Sequence, residues 1–430
     1  MLPLAWYGDD FTGASDTLAT LAAAGLRTVL FPRVPTAAQL ARVGELDALG
    51  VAGTARALAP DAMREELAEV RALFAQLRPR VTHYKCCSTF DSAPTVGNLA
   101  VGLNALRWKG QQPWVPIVGG QPSLGRFCAF SELYATASAG GEVFRIDRHP
   151  TMSRHPVTPM TEANLRQHLA AQGLARVAGI DLRALDHPDD AELDAVLNAR
   201  LTKAPDAVLF DTTRPAHLAR IGRLLWQQAA RQPLLALGAS SVAQALLAHW
   251  PGARAATPLS SAVAPASGPV FLLVGSLSPV TAAQVHTGAQ GYTAIALPAT
   301  DTSAAGLDTL ARQCAGHLSH GQNVMARTEA PAAGGASAHQ MALFCARLLK
   351  RVLELSPQVR RVGVAGGDTS SFALREVAPW ALGWAGTLAP GVPLLRMRAD
   401  EPALDGVELM LKGGQMGPPE VFEHLLTGTG

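Results

Sequence analysis

Short apolar runs alternate with amphipathic stretches along most of the chain. Leu4 to Gly8 is an apolar run that ends in the polar turn Asp9 to Gly13. The alanine- and leucine-rich stretch Thr17 to Ala24 predicts a helix stopped by Gly25, and Thr28-Val29-Leu30-Phe31 predicts the next strand. The punctuation recurs: strands are expected at Leu46 to Val51, Val81 to Tyr84, Trp114 to Val118 and Ala207 to Phe210. A helix is expected at Ala62 to Leu77. Further on, Val270 to Val274, Val362 to Ala365 and Leu409 to Leu411 are apolar runs, each followed by glycine and hydroxyl residues. Strands alternating with helices predict an α/β fold with mainly parallel sheets.

A stretch of small residues and turn formers, from Pro251 to Pro269, separates two such series. The expected organisation is therefore two α/β lobes with an active-site cleft between them. An N-terminal domain would span 1–252 and a C-terminal domain 268–430. Length agrees, because 430 residues exceed the roughly 100–200 of one ordinary domain.

Composition narrows the class. Apolar residues make up 48% and charged residues 16%, which is enough to fill cores and excludes a wholly disordered chain. With 36 basic and 34 acidic residues there is no broad electrostatic footprint for nucleic acid. No window reaches the ~18 apolar residues of a membrane span, and the N-terminus has no basic n-region, so no membrane association is expected. Five scattered cysteines fit reduced thiols, and the expected localisation is cytoplasmic. The apolar surplus is compatible with a homodimer.

Candidate chemistry gathers at the ends of the predicted strands, where open α/β sheets bind ligands. Gly8-Asp9-Asp10-Phe11-Thr12-Gly13 offers two carboxylates able to take a hydroxyl proton or hold Mg²⁺. The same residues equally fit a helix cap made by Asp10 or Thr12, with Asp9 merely solvated. Lys85-Cys86-Cys87-Ser88-Thr89-Phe90-Asp91 combines a cation, hydroxyls and a carboxylate suited to a sugar acid. Cys86, Cys87 and His83 do not read as a zinc site, since adjacent strand residues face opposite ways and no second ligand pair has suitable spacing. Arg145 to Pro150 and Ser153 to Met160 form the densest basic cluster, readable as an anion site or as a solvated loop. Gly120 to Arg126 has Walker-like glycine spacing, yet Arg126-Phe127 stands where a P-loop needs Lys-Ser/Thr, which excludes that motif. Three loops of the second half, Gly275 to Pro279, Gly366 to Ser371 and Lys412 to Gly417, follow strands and suit a phosphate cradle.

Six segments taken in order carry a resemblance: Asp9 to Asp16, Cys87 to Ser92, His155 to Met160, Gly275 to Thr281, Gly366 to Ser370 and Lys412 to Gly414. Through them nearly the whole chain resembles the four-carbon acid sugar kinases, which include 3-oxo-tetronate, threonate, erythronate and 3-oxo-isoapionate kinases. The resemblance implies a front lobe for the acid sugar, a rear lobe for ATP, and Mg²⁺-assisted phosphorylation of the terminal (C4) hydroxyl. It places Asp9, Asp10, Thr12, Arg56, Lys85, Ser88, Thr89, Asp91 and His155 at the substrate end. Ser276, Ser278, Gly366, Gly367, Asp368, Thr369, Ser370, Gly413 and Gly414 fall at the ATP end. Asp368 stands where many relatives carry glutamate, and Gly119 to Phe130 departs from the tetronate-kinase pattern.

On this reading Arg56, Lys85, Ser88 and Thr89 hold the substrate carboxylate. Asp10 accepts the hydroxyl proton, and His155 positions the substrate or serves as an alternative base. A dinucleotide-dependent dehydrogenase or epimerase would need Gly-x-Gly-x-x-Gly after the first strand, which is absent. A non-catalytic sugar-acid sensor would not need three phosphate-type loops.

Overall fold

The computed structural model describes residues 2–137, 140–155, 157–251, 262–298, 301–329 and 336–429. Most of the expected linker, residues 252–261, lies outside the described residues, as does Pro156 of the His155 to Met160 segment. The described residues divide into two units, one of 2–28 and 36–251 and one of 29–35 and 262–429. Each is α/β and built on a mainly parallel sheet.

In the first unit seven described strands lie side by side and parallel, in the order Val177–Ile180, Ala207–Phe210, Val115–Val118, Leu234–Gly238, Val81–Lys85, Leu4–Gly8 and Ala48–Ala52. The central strands are buried along their whole length, which explains their unbroken apolar runs. Helix Phe11–Ala23 begins earlier than its apolar residues predict, because the Asp10 carboxylate accepts from Gly13 N and caps it. Helix Pro60–Leu77 starts on Pro60 and turns Met63, Leu67, Val70, Leu73 and Phe74 inward.

The stretch after Val118 holds an element that the α/β alternation does not predict. Gly120–Gln121, Arg126–Ala129, Glu132–Thr136 and Val143–Arg145 form a small antiparallel sheet. The Asp211 carboxylate accepts from Phe130 N at 2.5 Å and Ser131 N at 2.9 Å, fixing its central turn.

In the second unit the strands Glu408–Lys412, Arg361–Ala365, Val270–Val274, Val324–Thr328 and Thr293–Leu297 are adjacent in that order and parallel. The antiparallel strands Ala381–Ala389 and Val392–Arg398 extend this sheet, and Leu30 pairs with Leu382. That pairing accounts for residues 29–35 belonging to this unit. One core cluster gathers Leu272, Val274, Met325, Leu394, Met410 and Phe422 between the sheet and its helices.

Candidate active site

Strand register builds the first unit's site. Gly8 lies opposite both Ala52 and Lys85, so three parallel strands end on one line. Their C-terminal ends deliver Asp9 and Asp10, the loop holding Arg56, and Lys85. The backbone ties these ends together: Asp9 N donates to Lys85 O at 3.0 Å, Gly53 N to Gly8 O at 2.8 Å, and Arg56 N to Asp9 O at 3.2 Å.

Asp10 is fully engaged. Oδ1 accepts from Gly13 N at 3.1 Å and faces Lys85 Nζ at 3.5 Å, while Oδ2 accepts from Thr12 Oγ1 at 2.7 Å and faces Arg56 at 2.9 Å. Burial alone would raise its pKa, but Arg56, Lys85, the Thr12 hydroxyl and the Gly13 amide outweigh it. They hold the carboxyl well below the ordinary carboxylate range. Asp10 is thus both a helix cap and the counter-ion of two cations.

Asp9 is the opposite case. It is 2% exposed, so it is not the solvated residue of the capping alternative, and its Oδ1 is buried without a hydrogen-bond partner. Burial, and then the charge of Asp10, push its carboxyl up to about 7, against the pull of Arg56 and Lys85. Two adjacent carboxyls with proton affinities driven apart are what acid–base chemistry near neutral pH requires.

Thr89 and Asp91 complete the cluster. Thr89 Oγ1 donates to Asp91 Oδ1 at 2.5 Å, both are buried, and Ser88 stands half-buried in the same turn. His155 is tied elsewhere: its Nδ1 accepts from Thr158 N at 3.1 Å. Among the described residues no hydrogen bond or ion pair joins it to Asp10. A neutral His155 with Nδ1 accepting carries its proton on Nε2 and is a donor there rather than a base. His83 is a buried core residue, hydrogen-bonded to Gly238 O at 3.0 Å, and burial pushes its pKa down to about 3.

Glu66 and Tyr7 are residues that sequence reasoning missed. Glu66 accepts from the Tyr7 hydroxyl, from Thr54 N at 2.8 Å and from Thr54 Oγ1 at 2.7 Å, while Ala55 N donates to Tyr7 Oη at 3.2 Å. Together they lock the loop that presents Arg56. Each sits inside an apolar or amphipathic stretch, so periodicity gave no sign of the role.

Gly13 is required by close approach: a Cβ there would lie 1.6 Å from Lys85 Nζ and 2.4 Å from Asp10 Oδ1. Gly13→Ala is expected to push Lys85 off Asp10 and lower turnover by about 100-fold, the scale of a 1 Å misplacement at a reacting centre. The unfolding midpoint should fall as well, because a buried lysine displaced from its counter-ion costs more than the roughly 1 kcal/mol that alanine gains as the better helix former. Parallel steady-state kinetics and thermal melts check this.

A second line of strand ends lies in the other unit. Val274 is opposite Ala365, and Ala365 is opposite Lys412, so the three glycine and hydroxyl loops leave one edge together. Gly366 and its successors do not form a free loop before the helix. Helix Gly367–Val377 begins inside the stretch Gly366 to Ser371 that reads as a loop, so Gly367, Asp368, Thr369 and Ser370 are its first turn. No side chain caps it, Gly366 adopts φ +126°, and a Cβ at Gly367 would meet nothing within 4 Å. An uncapped start leaves the first N–H groups of a helix without intrahelical partners, an arrangement suited to anions.

Ser278 caps helix Pro279–Gly288 and donates to Gly414 O, to which Thr281 Oγ1 also donates at 3.0 Å. A Cβ on Gly414 would come within 2.7 Å of Ser276 Oγ, so these loops need the glycine. Lys412 sits beneath them with its side chain fully buried, donating to Thr281 Oγ1 at 3.2 Å and Gly413 O at 3.0 Å. Among the described residues it has no carboxylate partner, and burial pushes its pKa down to about 8.

Comparison with known proteins agrees with this division of chemistry. A family model described as a sugar-binding N-terminal domain matches residues 4–246, and one described as a nucleotide-binding C-terminal domain matches residues 271–422. A 3-oxo-isoapionate kinase from Paraburkholderia graminis is 38% identical over 99% of this chain and 94% of its own. A 3-oxo-tetronate kinase from Methylobacterium radiotolerans is 31% identical over 99% of each chain. A crystal structure of a Salmonella typhimurium LT2 protein, solved under a provisional tRNA synthase label, is 25% identical with a TM-score of 0.79 and covers 98% of both chains. With both domain models matched in order and full-length kinases at these identities, the chain belongs to the four-carbon acid sugar kinase family and is a phosphotransferase.

Proposed function

We propose that this protein transfers the γ-phosphoryl group of ATP to the terminal (C4) hydroxyl of a four-carbon or branched 3-oxo sugar acid. The first unit binds the acid and the second binds the nucleotide. The observation that carries this reading is the line of strand ends at Val274, Ala365 and Lys412. It joins an uncapped helix N-terminus, three glycine and hydroxyl loops and a carboxylate-free buried lysine. That combination suits a polyphosphate.

Phosphoryl transfer asks for positioning and charge stabilisation more than for covalent chemistry. Asp9 takes the proton from the C4 hydroxyl, since a carboxyl near 7 is a far better acceptor than the heavily stabilised Asp10. The resulting oxygen attacks the γ-phosphorus, the bond from phosphorus to the bridging oxygen breaks, and ADP leaves. Asp10 stays ionised and holds Arg56 and Lys85 in place, while Thr89 and Asp91 serve the substrate hydroxyls. His155 orients the substrate through its Nε2–H.

Magnesium fits the second unit: the ion keeps water and phosphate ligands and needs only one or two carboxylates, and Asp368 is exposed in the uncapped first turn. When bound it neutralises charge on the phosphates. Among the described residues no group of three or more His, Cys, Asp or Glu could hold a metal ion.

The identities favour a branched substrate, the named relative at 38% being the isoapionate kinase and that at 31% a tetronate kinase. The reading includes a cytoplasmic homodimer, for which light scattering is the check. No helix among the described residues is long and apolar enough to cross a membrane. The decisive experiment incubates the protein with ATP, Mg²⁺ and, separately, 3-oxo-isoapionate, 3-oxo-tetronate, threonate and erythronate. ADP release that depends on one of these acids is expected; tight binding of an acid without ADP release would mean a sensor instead.

A further inference from the structure

The acid-sugar cluster already balances its own charge. Arg56 and Lys85 both face Asp10, and Asp9 and Asp91 stand in the same group, so three carboxyls meet two cations. Even with Asp9 protonated the group has no positive charge to spare. A sugar acid brings one more carboxylate, and burying it without a cation is strongly unfavourable. An additional basic group is therefore required.

The hairpin that follows strand Val115–Val118 supplies one. Val118 lies opposite Gly238, and Gly238 lies opposite Lys85, so this hairpin leaves the same sheet edge as the cluster. It is held firmly. Gln121 Nε2 donates to Asp16 Oδ2 at 3.2 Å, on the helix that Asp10 caps, and Gln244 Nε2 donates to Ser123 Oγ at 3.1 Å. Gly120 and Gly125 take φ of +85° and +68°, and a Cβ on Gly125 would meet Thr136 Oγ1 at 2.5 Å.

This hairpin presents Arg126, the residue that breaks the Walker-like pattern. One guanidinium nitrogen donates to the Leu124 carbonyl, Nε is buried without any partner, and among the described residues no carboxylate lies in ion-pair range. Burial lowers its pKa, with only the nearby Cys87 thiol opposing, and its charge is felt at His149. His149 offers no negative charge in return: its Nδ1 accepts from Thr151 N and Met152 N, both at 3.2 Å. A purely structural arginine would spend its donors on protein acceptors; this one keeps most of its fork unused.

We propose that Arg126 is the residue that receives the substrate carboxylate, and so sets the preference for acids over neutral sugars. This rests on the kinase reading above, and it replaces Arg56 and Lys85 as the carboxylate receptor, leaving those two to hold Asp10.

The test compares wild type, Arg126→Met and Arg126→Lys with 3-oxo-isoapionate, 3-oxo-tetronate and the neutral ketose erythrulose. Loss of a charge-assisted fork predicts a KM for the acids raised about 10–100-fold in Arg126→Met, with KM for ATP within about twofold. The preference over erythrulose should shrink by the same factor. Arg126→Lys, which keeps the charge but not the fork, should recover part of it. An unchanged acid KM in folded Arg126→Met overturns the proposal, as does an equal rise in the KM for ATP. If Arg126→Met does not fold, an unchanged acid KM in Arg126→Lys has the same force. Calorimetric binding of threonate without ATP separates this inference from the kinase reading. Loss of threonate binding in Arg126→Met supports the carboxylate role even if wild type shows no turnover, and undiminished binding overturns it.

Discussion

Asp9→Asn is expected to lower kcat by about 10²–10⁴-fold, the usual contribution of a positioned general base, while nucleotide binding persists. Its pH signature is specific. In the wild type the acceptor must be ionised, so kcat/KM should rise with pH up to about 7 and then level off, following the raised Asp9 carboxyl. Asp9→Asn should lose that limb. Stability should move the other way. Below the unfolded pKa of 3.8 both states are protonated and Asp9 has no effect. Between 3.8 and about 7 only the unfolded chain ionises, so the fold loses stability as pH rises. Above 7 the full penalty, about 4 kcal/mol for a shift of this size, persists. The amide also leaves a buried polar group poorly matched, an offset of about 1–3 kcal/mol, so Asp9→Asn should gain about 1–3 kcal/mol at pH 8. Asp10→Asn should instead lose stability by about 3–5 kcal/mol, because it strips two cations of their counter-ion. Urea midpoints and pH–rate profiles of both variants check the assignment. A fully active Asp9→Asn enzyme would return the base to Asp10.

Lys412→Met is expected to weaken ATP binding by about 10–100-fold, the equivalent of one charge-assisted hydrogen bond of about 1.5–3 kcal/mol. An ammonium has three donors, and Thr281 Oγ1 and Gly413 O use two of them. The ammonium also lies 5.8 Å over the Phe422 ring, a weak partner, so among the described residues its charge has no anion to balance it and favours a phosphate brought to the glycine loops above it. Because burial depresses Lys412 to about 8, wild-type ATP affinity should fall as pH rises through 8, and Lys412→Met should lack that dependence. Stability without nucleotide runs in the opposite direction. The unfolded lysine stays protonated up to its ordinary 10.5, so between 8 and 10.5 the neutral folded form is favoured and stability rises. Calorimetric titration with ATP at pH 7 and 9 separates these trends. A pH-independent affinity would remove Lys412 from the phosphate site.

Much of this arrangement is legible in the chain itself. The strands Leu4–Gly8, Thr28–Phe31, Ala207–Phe210 and Val270–Val274 coincide with their apolar runs. Buried parallel strands must be apolar on both faces, so their composition marks them whatever their neighbours. The Asp9–Asp10 turn, the Lys85 segment and the three glycine loops stand out because each follows such a run. The small sheet from Gly120 to Arg145 does not: its strands are short, partly exposed and held by Asp211, about eighty residues away. The start of helix Gly367–Val377 reads as a loop because glycine, serine and threonine disfavour a helix interior yet are at home in a first turn.

Order of elements, family and reaction class therefore follow from residue types and spacing, which are local properties. Which carboxyl titrates near neutral pH, which lysine is buried without a counter-ion, and which arginine keeps its fork free do not. Asp9 and Asp10 are adjacent and chemically identical, and only neighbours brought in by other strands and loops, Arg56 and Lys85 foremost, drive their proton affinities apart. Charge acts through space, so the division of labour between them exists only once those strands lie in register.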